Sequence, residues 1–110
     1  MTKDENDTTA WNMAPLRGYK HLLVLSQLYQ KVWGGMMRED SCPPKEREEA
    51  GWWQRSAYRD IACYRANIER LEAVGHIDAP HGPLSAEQRL ADWVDFEACN
   101  KRVLADFPPY

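Results

Sequence analysis

Apolar residues recur at helical intervals in three separate stretches of this chain, and nowhere do they alternate as a strand requires. In the first stretch, Leu22, Leu25, Leu28, Tyr29, Val32, Trp33 and Met36 share one broad face of a helical wheel, with Lys20, Gln27 and Lys31 opposite. The spacing predicts a helix over about 15–37. Pro15 suits its first turn, where a missing N–H has no intrahelical partner to lose. Gly34-Gly35 weakens its end, and Asp40-Ser41-Cys42-Pro43-Pro44 stops it. With so wide an apolar face, this helix is expected to be the most buried of the three.

A long second helix is expected over about 46–74. It opens among Lys45-Glu46-Arg47-Glu48-Glu49, where acidic side chains favour the positive end of the helix dipole. Trp53, Ala57, Ile61, Tyr64, Ile68 and Leu71 then follow at steps of 4, 4, 3, 4 and 3, the spacing of a stripe that faces a partner helix. Gly75 can take the left-handed cap conformation, with Ile77 expected to pack back on Leu71. After the turn-rich Asp78-Ala79-Pro80-His81-Gly82-Pro83, Ser85-Ala86-Glu87-Gln88 reads as a capping box opening a third helix over about 85–106. Its stripe is Leu90, Trp93, Glu97, Asn100, Leu104 and Phe107, flanked by Phe96 and Val103 and halted by Pro108-Pro109.

The expected fold class is therefore all-α: a three-helix bundle in one domain over 13–110. Residues 1–12 are polar, acidic and without periodicity, and are expected to be a flexible, disordered tail from which Trp11 can fold back. A length of 110 residues suffices for one core without staples, and 44% apolar with 28% charged residues is ordinary for a globular chain. The longest apolar run, Leu22-Leu23-Val24-Leu25, is far short of a bilayer span, and the N-terminus has no apolar leader. Cytoplasmic residence without membrane contact is the expectation.

Three widely spaced cysteines, Cys42, Cys63 and Cys99, form neither a disulfide framework nor paired zinc ligands. The net charge of −3 divides into −2 over residues 1–14, +2 over 15–77 and −3 over 78–110, so nucleic acid is a disfavoured partner. His76, Asp78 and His81 crowd one loop and, with Cys42 or Cys63, contain metal-ligating types, but the close ligand pairs that mark zinc sites are missing. His21 on the apolar side of the first helix reads as a hydrogen-bonded core histidine. No serine sits in a glycine-flanked elbow, no cysteine has a base at suitable spacing, and no Glu-x-x-His step suggests a diiron centre. No enzymatic activity, cofactor or metal is expected.

The ten residues Ile68–Ile77 resemble the end of the recognition helix in winged-helix DNA-binding proteins, where a leucine, a glycine and a closing aliphatic recur. That family implies a shorter helix and tight turn upstream and a β-hairpin downstream. Here the helical pattern runs unbroken from Trp53, and another helix follows, so an ordinary helix cap accounts for the same letters.

The surplus lies in the aromatics. Five tryptophans and five tyrosines are more than one small core easily hides. Adjacent Trp52 and Trp53 point about 100° apart on a helix, so one of them lies outside the core seam. Arg55, Arg59 and Arg70, interleaved with Ala62, Ala66 and Ala73 and bordered by Trp52, are expected on the outer side of the second helix; tryptophan and arginine are the types enriched in interface hot spots. The expected function is that of a protein-binding module, an adaptor or stoichiometric regulator anchored on Trp52, Arg55, Arg59 and Arg70, with self-association as a further use of the aromatics. The competing expectation is a DNA-binding regulator using Arg65 and Arg70, which steep salt dependence would reveal. In the third helix, Glu97 is expected at solvent, whereas Asn100 is placed either there or in the seam, where an amide fixes register.

Overall fold

The computed structural model describes residues 14–78 and 85–107 and contains three helices: α1 (Pro15–Arg38), α2 (Pro44–Ala73) and α3 (Ala86–Leu104). The fold is an all-α three-helix bundle, and no strand forms among the described residues. The tail over 1–12, Trp11, His81 and the Pro108-Pro109 stop lie outside those residues. α2 begins earlier than its sequence suggests because Pro44 serves as its first residue, the use of proline also seen at Pro15. The start of α3 has a local cause. Ser85 Oγ accepts from the Gln88 amide at 3.2 Å while Gln88 Oε1 accepts from the Ser85 amide at 3.0 Å, a complete capping box.

At the other end of the loop, Gly75 adopts a φ of +72°, its amide donates to the Glu72 carbonyl at 3.0 Å, and the His76 amide donates to the Leu71 carbonyl at 2.9 Å. This pair of bonds satisfies two carbonyls that the helix leaves open. The expected hydrophobic closure does not accompany it: Ile77 is 87% exposed. A polar tie holds the segment instead. The Asp78 carboxylate accepts from the backbone amides of Leu16 at 3.1 Å and Arg17 at 2.8 Å, so the residue after Ile77 caps the distant start of α1.

α1 and α2 pack as an antiparallel hairpin joined by residues 39–43, and α3 lies antiparallel against the C-terminal half of α2. The expectation that α1 would be the most buried helix is overturned. Its buried positions are Gly18, Tyr19, Ser26 and Gly34, whereas α2 buries Ala50, Gly51, Ala57, Ile61, Cys63, Asn67, Ile68 and Leu71. Gly34 sits so near α2 that a Cβ there would lie 2.6 Å from Gln54 Nε2, and Gly51 faces the Met37 thioether. Long side chains fill the space beside both glycines, while Val24, Leu28, Tyr29 and Val32 face outward, each more than half exposed.

The molecule extends 18 Å along its shortest principal axis. Its apolar centre is small: Tyr19, Ile68 and Leu71, with Leu16, Leu23, Tyr64 and Phe96 packed around them. Burying each such side chain contributes about 1.5–3 kcal/mol. Phe96 is the hub, stacking on Tyr19 of α1 at 5.3 Å and on Tyr64 of α2 at 6.3 Å between ring centroids. The inward face of α3 is therefore Asp92, Phe96, Cys99, Asn100 and Val103, and Leu90, expected in the seam, is 66% exposed.

Candidate functional site

The structure divides the four proposed anchor residues among three environments. Trp52 and Trp53 meet edge to face at 4.5 Å between centroids, and Trp53 stacks on Trp33 of α1 at 6.4 Å. Consecutive positions on α2 force the two indoles apart in direction, and the turn of α1 beside the interhelical loop supplies the third ring. Trp52 is 40% and Trp53 41% exposed. With Arg55, Lys45, Glu48 and Glu49 they line an open depression of about 500 Å³. Indole faces beside a guanidinium can stack on, or receive, a protruding side chain from another molecule.

Arg59 projects elsewhere, its guanidinium carbon 5.7 Å from the centre of the Phe107 ring, where it clasps the chain just after α3. Arg70 turns away from the outer face. Its Nε and Nη2 donate to Asn67 Oδ1 at 3.1 and 2.9 Å, and Nη2 lies 3.4 Å from Asp92 Oδ1. Asn67 is wholly buried and uses its other amide atom as fully, donating to the Cys63 carbonyl at 2.9 Å and to Asn100 Oδ1 at 2.8 Å. The Tyr19 hydroxyl donates to Asp92 Oδ2. Burial, reinforced by this carboxylate, pushes the Tyr19 phenol far above its ordinary range.

One chain of bonds thus joins all three helices through Tyr19, Asn67, Arg70, Asp92 and Asn100. Its members are mutually satisfied, which is what keeps a buried polar cluster from being a liability. Asn100 belongs to the seam, and Glu97 is exposed. Sequence reading missed Asn67 and Asp92 altogether. The available signal was the pair of polar side chains Asn67 and Asn100 on stripes of two neighbouring helices, each pointless unless it meets the other.

In the loop after α2, His76 Nε2 lies 3.0 Å from Asp78 Oδ1. Partial burial works against the Asp78 charge, yet the Arg17 amide, the His76 ring and the Leu16 amide outweigh it and hold the carboxyl below its usual value. Among the described residues, no three histidine, cysteine or acidic side chains converge as a metal site. Cys42 is partly exposed, and Cys63 and Cys99 are buried thiols. No helix among the described residues is long and apolar enough to cross a membrane. Compared with known protein families, with characterised proteins and with solved structures, the chain matches none.

Proposed function

We propose that this protein is a binding module for another protein, an adaptor or stoichiometric regulator, and that its contact surface is the loop end of the α1–α2 hairpin around Trp52, Trp53 and Arg55. The observation that carries the reading is the pair of adjacent indoles held in fixed edge-to-face geometry with about two-fifths of each still open to solvent. Rigid aromatic surface costs little entropy to immobilise, and its burial with a neighbouring arginine is the recurrent source of hot-spot energy. Lys45, Glu48 and Glu49 around the depression supply a charged rim. Arg59 and Arg70 leave the proposed anchor set for structural roles against Phe107 and Asp92. A duplex-binding reading gains nothing from this geometry, because Arg70, on which it depends, is occupied inside the bundle.

Co-purification of the full chain from its native source, wild type beside Trp52→Ala/Arg55→Ala, tests the proposal by mass spectrometry. Species retained by the wild type and lost by the variant are expected. Identical sets from both chains remove this surface.

A further inference from the structure

Two more apolar stripes lie outside the site just described, one flanked by lysines and the other by glutamates. On α1, Val24 and Leu28 are 55% and 52% exposed. Each stands two residues from buried Ser26, about 160° around the helix from the contact with α2. On α3, Leu90 and Val94 are 66% and 60% exposed, and Val94 stands two residues from both Asp92 and Phe96, on the side away from the core.

The charges that bracket them differ. α1 carries Arg17, Lys20, Lys31 and Arg38 and neither aspartate nor glutamate. Lys20 and Lys31 stand at either end of the Val24–Leu28 pair, both exposed. On α3 the Leu90–Val94 pair is bracketed by exposed Glu87 and Glu97, with exposed Lys101 one turn beyond Glu97, so the two lysine–glutamate pairs outnumber the one like-charge approach of Lys101 to Arg17 at the end of the stripe. The steps along the two helices are 4, 4, 3 for Lys20, Val24, Leu28, Lys31 and 3, 4, 3 for Glu87, Leu90, Val94, Glu97. These stripes span about 16 Å and about 15 Å, so laid antiparallel they place Lys20 by Glu97, Val24 by Val94, Leu28 by Leu90 and Lys31 by Glu87.

We infer that the outer stripe of α1 docks on the outer stripe of α3 of a second copy of this chain, a head-to-tail contact. Within one molecule the two stripes cannot meet, because α1 and α3 already face each other through Tyr19, Asp92 and Phe96 on their opposite sides. Pairing α1 with α1 would oppose four cations to four, and like charge at a contact suppresses it. A head-to-tail contact leaves one stripe of each kind open, so assemblies grow into rings or chains instead of stopping at a symmetric dimer. The contact is small and belongs with weak, transient interfaces below about 1,200 Å².

Sedimentation of the full chain from about 10 µM to about 1 mM reads this directly. The wild type is expected to gain mass with concentration and to lose that gain as salt rises from about 50 to about 500 mM. Val24→Gln/Leu28→Gln and Leu90→Gln/Val94→Gln are each expected to remain monomeric alone. Mixed in equal amounts they are expected to form a dimer and nothing larger, because one intact α1 stripe then meets one intact α3 stripe. That recovery also shows that both variants are folded. A wild type monomeric throughout, association that survives in either double variant, or a mixture that stays monomeric overturns the inference. Trp52 and Arg55 are intact in every arm, so the result is independent of the hairpin-end site.

Discussion

The side-chain amide of Asn67, itself fully buried, donates to Asn100 Oδ1 across 2.8 Å, joining the C-terminal part of α2 to the C-terminal part of α3. That one contact sets the rotation of α3: turning the helix by one residue would carry Asn100 about 100° off its partner and strand both amides. It also explains why Leu90 is exposed while Asp92, a charged residue, faces inward to Arg70 and Tyr19.

Asn67→Ala therefore removes four hydrogen bonds, leaving the Asn100 oxygen without its partner and the Arg70 guanidinium with Asp92 alone. We expect a loss of about 2–4 kcal/mol in urea unfolding, against about 1 kcal/mol for Asn100→Ala. In the double variant the costs fall short of additivity by about 1 kcal/mol, the signature of a shared bond.

Three glycines separate backbone freedom from packing. A Cβ at Gly35 meets nothing within 4 Å, so Gly35→Ala is expected to stabilise the fold by about 0.5–1 kcal/mol through helix propensity alone. At Gly34 the same change drives against the Gln54 amide, and the gain is expected to shrink or vanish. Gly75→Ala, with φ at +72°, is expected to cost about 1–2 kcal/mol. Thermal midpoints of the three variants give the order Gly35→Ala, Gly34→Ala, Gly75→Ala from most to least stable.

The Asp78 clamp makes stability fall in acid. Its carboxyl titrates below the usual value in the folded chain, so its contribution is complete above the unfolded value of about 3.9 and is lost as pH drops through the lower folded value. Asp78→Asn is expected to flatten this part of the acid limb in unfolding measured below about pH 4. Asp78→Ala is expected to cost about 1 kcal/mol at neutral pH, as removal of a helix N-cap does.

Thiol reactivity is expected to be graded. Burial, with Asp60 and Cys99 nearby, pushes Cys63 up to about 11, and Cys99 is equally enclosed. Cys42 is raised by desolvation and by Glu46 but remains reachable. A disulfide reagent at pH 8 should label one thiol in the native protein and the other two only on unfolding. Rapid labelling of all three thiols would contradict the burial of Cys63 and Cys99.

The sequence carried the three helices, the capping box at Ser85, the left-handed Gly75 and the buried middle of the α2 stripe, because each depends on neighbours within one or two turns. It misled where small residues are buried and large ones are not. Leu28, Tyr29 and Val32 look like core on a wheel, yet they are more than half exposed, while Gly34 on α1 and Gly51 on α2 are buried beside the long side chains of Gln54 and Met37. Arg70 was legible as an arginine on a helix, but its direction depended on Asp92, 22 residues away. Likewise nothing local to Ile77 announces that Asp78 binds the start of α1. Of the candidate site, the exposed indole at Trp52 could be foreseen from two consecutive tryptophans; the separation of Arg59 and Arg70 from it could not.

Asp78 also fixes where this chain can be cut. Because its carboxylate holds the amides of Leu16 and Arg17, the opening turn of the first helix depends on a residue more than 60 positions downstream. A fragment ending with the last helical residue of α2, at Ala73, retains the whole hairpin in sequence yet lacks the group that seats its beginning. The smallest piece that keeps both ends of the hairpin in register therefore runs past the helix, into the loop, and includes Asp78.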